Sequence, residues 1–594
     1  MIDYAQSLNA EQYKVVSEGD GPVLVLAGAG SGKTRTLIYR VAHLIGGGVY
    51  PENILLVTFT NKAANEMLSR VATLLGYNPA GLYGGTFHHI GNLLLRRHAN
   101  ELGYSPNFGI LDEEDSNDLL KICVESSQID AKKAKFPKAN VLNDIISFAV
   151  NSRESLEKVV IENYAHFLEL LPEIEKVAKN YGERKKKSNL MDYDDLLNNW
   201  VLLLKTVPDL KERYRDKFKY ILVDEFQDTN RMQFELLKEL AGKDHSIMAV
   251  GDDAQSIYSF RAAEIKNLLE FPEYFNKCKI YKLETNYRSV PQILNLANQS
   301  IACNINQFKK TLRGVKENGA LPVVVPVFNS KQQAKFVAQR IMELLDENIS
   351  LSDIAVLFRA RFHAAELELE LTARGIPYII RGGVRFFEQA HIKDVLSYLR
   401  ILQNPFDELS WKRALGLEEG IGKGNAHKIW LAVSQAKNPV AGLVSGELKP
   451  EFGEKLQAGF GRFLGILKTI AADEFKKSPG AAIRHIVKAG YGGFVLTAFA
   501  NAKDRLEDLE QLAVFAETYT STEKFITDVT LREGYKGETV LSGRTDGESV
   551  ILTTIHQAKG LEWKAVMLIG AAEGMFPSPH AYDDEDQMEE ERRL

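Results

Sequence analysis

The run Ala27-Gly28-Ala29-Gly30-Ser31-Gly32-Lys33-Thr34 constrains the fold more than any other part of this chain, because it links an apolar pentapeptide to an amphipathic segment. The pentapeptide is Val23-Leu24-Val25-Leu26-Ala27, a buried strand by its composition, and Leu37, Ile38, Val41, Leu44 and Ile45 then fall on one helical face. A strand that turns through small residues into a helix leaves backbone N–H groups pointing into the turn. The helix N-terminus adds partial positive charge at the same place. Ala29, Gly30, Ser31 and Gly32 make the turn, Lys33 supplies a point charge, and Thr34 offers a hydroxyl to Mg²⁺. The pattern predicts a phosphate cradle, with Ala27 standing where its strict form has Gly. A nucleotide follows from it; what the nucleotide drives does not.

At 594 residues the chain exceeds what one core can bury, so several domains are expected. A net charge of −6 excludes a wholly basic nucleic-acid binder but not a local basic channel. Cys123, Cys278 and Cys303 are far apart and form no CxxC pair, which suggests neither a disulfide framework nor a zinc site. The adjacent His88 and His89 suit a strand or turn better than a shared metal. Met1-Ile2-Asp3-Tyr4 has no basic and apolar leader pattern, and no run approaches a membrane span of about 20 residues. The expectation is a cytoplasmic protein with no membrane partner.

Short apolar runs at 23–27, 54–59, 220–223 and 247–250 alternate with helical patterns, the signature of a parallel sheet whose ligands sit at the carboxyl ends of its strands. Tyr220-Ile221-Leu222-Val223 is followed by Asp224 and Glu225. The first acid can hold Mg²⁺, and the second can orient or deprotonate an attacking water. The fourth run delivers Gly251-Asp252-Asp253-Ala254-Gln255, where Gln255 can sense a γ-phosphate and the two aspartates alone read as an N-capping turn.

Seven blocks now stand in order: Leu8-Asn9-Ala10-Glu11-Gln12, the cradle, Val57-Thr58-Phe59-Thr60-Asn61-Lys62-Ala63-Ala64, Gly85-Thr86-Phe87-His88, residues 223–230, residues 251–261, and Leu283-Glu284-Thr285-Asn286-Tyr287-Arg288-Ser289. An eighth, Thr553-Thr554-Ile555-His556-Gln557-Ala558-Lys559-Gly560-Leu561-Glu562, lies far downstream. Together they resemble the superfamily 1A DNA helicases of the UvrD, Rep and PcrA type. The resemblance implies an α/β, P-loop NTPase fold with two RecA-like parallel-sheet motor domains, each interrupted by a mainly helical insertion. Motor domain 1A would comprise 1–88 and 216–281, insertion 1B 89–215, motor domain 2A 282–378 and 546–594, and insertion 2B 379–545. Within 2A, strands are expected at 323–328, 354–358, 378–380, 550–555 and 566–570, with a helix over 364–374.

The resemblance also assigns roles. The implied activity is that of an ATP-dependent helicase and single-strand translocase moving 3′ to 5′ in DNA repair or replication, using ATP and Mg²⁺ at the cleft between 1A and 2A. Lys33, Glu225, Gln255 and Arg288 would be catalytic, and Thr34 and Asp224 would hold the metal. Gln12 would read adenine, Tyr287 stack on it, Arg35 and Arg288 face phosphates, and Glu562 contact the ribose or γ-phosphate side. An arginine finger of the kind assigned to Arg288 offsets charge on the γ-phosphate oxygens and contributes about 10³- to 10⁵-fold in other NTPases.

Single strands are held without sequence preference by aromatic stacking, about 1–3 kcal/mol per base. Phe59, Tyr258 and Phe260 are the candidate platforms, with Phe260 where the family usually has Trp, and Thr86, His88, Arg261, Arg359 and Gly422 are further candidates for contact. Arg359-Ala360-Arg361-Phe362-His363 departs from the Asn-Ala-Gln-Ser-Arg found in relatives. Glu419-Gly420-Ile421-Gly422-Lys423-Gly424 resembles a hairpin between helices whose amides grip a phosphate, and a simple helix stop explains it nearly as well. The basic clusters Lys132-Lys133-Ala134-Lys135 and Arg184-Lys185-Lys186-Lys187 read equally as solvated faces or as strand contacts. Expected partners are single-stranded DNA, its junctions with duplex, and repair or replication proteins, for a monomer or weak dimer.

The chain closes on Glu589-Glu590-Glu591-Arg592-Arg593-Leu594, which resembles the opening of the family's last motif. The resemblance implies truncation ahead of a second arginine finger, and with it reduced turnover. Two rival readings are a hydrolysis-impaired fragment or regulatory subunit, and a translocase that displaces proteins without unwinding. With seven acids between 583 and 591, a free tail of this composition is expected to be disordered.

Overall fold

Val23–Ala27 is buried along its whole length, with Val23 and Val25 packed in one core and Leu24 and Leu26 in another. A strand covered on both faces belongs in a parallel sheet. This strand is β1, and it is followed by β2 (Ile54–Thr58), β3 (Tyr83–Thr86), β4 (Gly109–Ile110), β5 (Leu190–Met191), β6 (Tyr220–Val223), β7 (Ser246–Gly251) and β8 (Lys279–Leu283). Six of them form one sheet in the order β3-β2-β6-β7-β1-β8, every pair parallel. The short β4 and β5 pair only with each other, inside a helical excursion between β3 and β6. A further parallel pair joins β9 (Thr285–Asn286) to β10 (Arg313–Gly314).

The computed structural model describes residues 2–127, 136–381, 386–499, 501–526, 529 and 549–594. Contacts divide the chain into two units, Met1–Val324 with Pro577–Leu594, and Val325–Phe576. The first holds the sheet just described, and Tyr287 and Arg288 fall in it. The expected boundary at 545/546 and the basic run 132–135 lie outside the described residues.

The second unit carries a smaller parallel sheet of β11 (Ile354–Phe358), β12 (Tyr378–Ile380), β13 (Val550–Thr554) and β14 (Ala565–Leu568), in the order β12-β13-β11-β14. Helices from Ala390–Gln403 to Ala502–Ala516 intervene between β12 and β13 and build their own core around Trp411, Tyr398 and Phe463. Helix Ala365–Ala373 is the one expected over 364–374.

Three expectations need correction. Residues 323–328 form no strand: Val324 is 92% and Phe328 96% exposed. A strand exists only through its ladder, and no described residue pairs with this segment. His88 and His89 lie in the first turn of the helix Phe87–His98, not in a strand. The acidic end is also ordered, as helix Glu585–Arg593 with Asp584 as its N-cap and Glu589 and Glu591 buried. Its carboxylates are answered by backbone donors, among them Ser578 N–H to Glu591 at 3.1 Å, which composition cannot reveal.

Candidate nucleotide and strand site

Strands β6, β7 and β1 are neighbours, so their carboxyl ends converge although the side chains after β1 are 190 to 222 residues from those they meet after β6 and β7. After β1 the cradle turns at Gly30 (φ +69°) and Gly32 (φ +85°), a region that L side chains rarely adopt. The Ser31 hydroxyl donates to Gly28 O at 2.7 Å, and the Gln12 amide donates to Ser31 O at 2.9 Å. Gln12 is itself fixed by a capping box with Asn9. Helix Lys33–Gly46 then begins with the lysine at its first position.

Lys33 Nζ lies 3.0 Å from Glu225 Oε2 and donates to Gln255 Oε1 at 3.3 Å. Burial pulls the Lys33 pKa down, but Glu225, Asp252 and Asp224 outweigh it and hold the ammonium charged. The Thr34 hydroxyl faces Asp224 Oδ2 at 3.4 Å. Asp224 is buried, and burial together with the neighbouring Glu225 carboxylate drives its pKa upward. This surplus of buried negative charge beside a hydroxyl fits a divalent cation held by Thr34 and Asp224. The open amide turn with Lys33 fits the anionic phosphates.

Glu225 adopts φ +49°, uncommon for a residue with a side chain, at the turn out of β6. Sequence reasoning gave no role to its partner, Gln227. That side chain is fully buried, donates to Glu225 Oε2 at 2.7 Å and accepts from Asp252 N–H at 2.9 Å, so it ties the two strand ends together. Gln255 donates to Asp252 Oδ2 at 2.5 Å.

The segment after β8 closes over the cradle. The Asn286 amide donates to Ala29 O at 2.6 Å, Tyr287 N–H donates to Gly30 O at 3.0 Å, and a Cβ at Gly30 would stand 2.6 Å from Arg288 Cβ. Asn286 Oδ1 accepts from Arg288 N–H at 2.9 Å, and the Tyr287 hydroxyl accepts from Asn9 at 2.8 Å. Arg35 donates to Ser7 O at 2.8 Å and lies over the Tyr39 ring. Glu562 belongs to the second unit, exposed in the segment between β13 and β14.

Of the strand candidates, Phe59 and Tyr258 are parallel within 1°, their centroids 6.4 Å apart, and Phe260 meets Tyr258 edge-on at 5.9 Å. Phe59 is 38% and Phe260 60% exposed, so neither is a core residue. His88 packs edge-on against Tyr193, and burial pushes its pKa down. The hydroxyl of Thr86 caps the helix by accepting from His89 N–H at 3.2 Å. Arg261 ends the turn Ser259–Arg261. In the second unit Arg359 follows β11, its neighbour Arg361 is turned inward onto Glu368 at 2.6 Å, and Gly422 is the exposed N-cap of helix Lys423–Val433. The basic cluster 184–187 is not one solvated face: Lys185 is buried and paired with Asp192 and with Asp195, the latter at 2.7 Å.

Parallel sheets with a small-residue turn into a helix that begins on Lys33, and a paired Asp and Glu and a glutamine on adjacent strand ends, define a protein of the P-loop class. Residues 8–276 match the UvrD/REP helicase N-terminal domain, and residues 281–442 and 466–594 match the UvrD-like helicase C-terminal domain. The chain belongs to the UvrD/REP helicase family. It is 33% identical to the ATP-dependent DNA helicase PcrA of Staphylococcus epidermidis over 603 residues, 99% of this chain and 81% of that protein. DNA helicase II of Escherichia coli K12 is 33% identical over 616 residues, covering 99% and 82%, and PcrA of Bacillus subtilis 34% over 603 residues, covering 99% and 80%.

Proposed function

We propose that this protein is an ATP-dependent DNA helicase and single-strand translocase, moving 3′ to 5′ and acting in repair or replication at junctions of single-stranded and duplex DNA. Its relatives are named as an ATP-dependent DNA helicase and a DNA helicase. No described helix is long and apolar enough to cross a membrane, and a cytoplasmic setting accords with the reading.

The observation that carries the proposal is the meeting of Lys33, Glu225 and Gln255 within 3.3 Å at adjacent strand ends, next to a loop that presents aromatic rings. In this reading Gln12 and Tyr287 hold the adenine, and Glu562 contacts the ribose or γ-phosphate side. Backbone N–H groups of residues 29–32 and the Lys33 ammonium grip the phosphates. Thr34 and Asp224 hold Mg²⁺, which supplies positive charge against the phosphate oxygens. Glu225, pinned by Gln227, accepts a proton from the attacking water, Gln255 reads the γ-phosphate, and Arg288 with Arg35 offsets the charge that spreads there.

Phe59 and Tyr258, parallel rings beside the nucleotide residues, stack against bases of the strand. Phe260 stacks the next base, while Thr86, His88, Arg261, Arg359 and Gly422 contact the strand. The test is ATP hydrolysis with and without single-stranded DNA, followed by unwinding of a forked duplex. Strand-stimulated hydrolysis with unwinding is expected. Stimulation without unwinding would replace the helicase by a protein-displacing translocase, and strand binding without hydrolysis by a regulatory subunit.

A further inference from the structure

The loop that carries Gln255, Tyr258 and Phe260 is held from beneath by contacts that the site described above does not use. Asp252 and Asp253 are both buried at the end of β7 and share one lysine, Lys310, whose side chain is buried between them. Lys310 Nζ stands 2.9 Å from Asp252 Oδ1 and pairs with Asp253 Oδ1, while Asp253 Oδ2 accepts the Phe308 N–H at 2.9 Å. Burial pulls the Lys310 pKa down, but the two aspartates outweigh it, and Lys310 with Lys33 keeps Asp252 below the usual carboxylate range despite its burial. Three charges stay buried only when each is paired, so the cluster fixes the root of the loop.

A second anchor holds the far part of the loop. Arg593 donates to Ser256 O at 3.1 Å, and Ser259 N–H donates to Glu590 at 3.3 Å. The two anchors are tied together, because Glu589 Oε1 accepts from Ile305 N–H at 2.6 Å and Asn306 N–H at 3.0 Å, and Asn304 donates to Glu589 O at 2.9 Å. A closed ring therefore runs from Asp253 through Lys310 and Phe308 to Asn304, along helix Glu585–Arg593, and back to Ser256 and Ser259. Gln255 sits inside it, with its amide nitrogen on Asp252 and its oxygen on Lys33.

We propose that Lys310 is a positioning residue that couples occupancy of the cradle to the grip of the aromatic loop on the strand. The inference rests on the nucleotide and strand reading given above. When Lys33 turns to phosphate it leaves the Gln255 oxygen, while the Gln255 amide nitrogen stays on Asp252 and Asp252 stays held by Lys310. The Gln255–Asp252 contact then stays fixed, and a shift at Gln255 moves Tyr258 and Phe260 instead of dissipating at a loose root.

The readout is the affinity of the full chain for a fluorescent oligothymidylate, measured by anisotropy with and without a non-hydrolysable ATP analogue and Mg²⁺. In the unsubstituted protein the analogue changes that affinity by about fivefold or more. In Lys310→Met the ratio collapses to within about twofold of unity, while each ligand alone binds within about threefold of the original affinity. An unchanged ratio in Lys310→Met overturns the proposal, as does a fall of both separate affinities together with the unfolding temperature, which is the mark of a merely structural role. Should Lys310→Met fail to fold, Glu589→Ala releases the same loop from the other side, and an unchanged ratio there is equally fatal. If the unsubstituted protein binds both ligands with a ratio of one, the coupling is wrong and the site reading stands; if it binds neither, the reading itself fails.

Discussion

Both units are built on a parallel sheet, yet among the described residues it is the first whose strand ends bring Lys33, Glu225 and Gln255 together. In the first unit β1, β6 and β7 end on Lys33, Glu225 and Gln255, which meet within 3.3 Å. In the second, the segment after β11 turns inward: Arg361 pairs with Glu368, and His363 packs edge-on against Phe362 with its Nε2 buried and without a hydrogen-bond partner among the described residues. A sheet supplies rigid strand ends, but the residues just past them decide whether those ends face a ligand or a core.

The largest expected effect tests the first unit. Glu225→Gln should lower strand-stimulated ATP turnover by about 10²- to 10⁴-fold while leaving binding of a fluorescent ATP analogue intact. Unchanged turnover would remove Glu225 as the base.

The next tests the second unit through pH. Burial, with Arg359 adding to it, pushes the His363 pKa down to about 4, from about 6.5 in an unfolded chain. Its contribution to stability is therefore present above pH ~6.5 and lost as the pH falls towards 4, because the unfolded chain binds the proton first. Roughly 3 kcal/mol is at stake, and a His363→Leu protein should show a flatter loss of unfolding temperature between pH 7 and 4. An equal slope in both proteins would mean that the imidazole is solvated.

Two smaller effects sharpen the contrast within the first unit. Lys33→Ala should weaken nucleotide binding by about 10- to 100-fold, the worth of charge-assisted hydrogen bonds, with strand affinity in the absence of nucleotide nearly unchanged. Phe260→Ala should weaken strand binding by at least about fivefold, the lower end of base stacking, without altering nucleotide affinity measured alone. If Phe260→Ala leaves strand affinity untouched, the exposed ring serves something other than a base.

Much of this was legible because it is local. Strand, cradle and helix around residues 23–46 obey short-range periodicity, and the small residues of the turn announce their positive φ angles. Gln227 escaped because a glutamine beside two acids carries no pattern of its own, and only its complete burial marks it. Lys310 escaped for a stronger reason: its partners lie 57 and 58 residues away, and a lysine in a polar stretch is ordinarily solvated. The run at 323–328 misled in the opposite direction, since its composition is that of a strand while a ladder partner is a property of the fold.

By itself, the sequence determined the order of the motifs, the α/β class and the side chains available to a nucleotide and a strand, because each depends on neighbours a few residues apart. The tertiary structure alone decided that β6, β7 and β1 lie side by side, that Lys310 pairs with two aspartates, and that the acidic closing segment is a docked helix. Those outcomes depend on strand order and on burial, which bring distant charges together in a medium where an unpaired one is not tolerated.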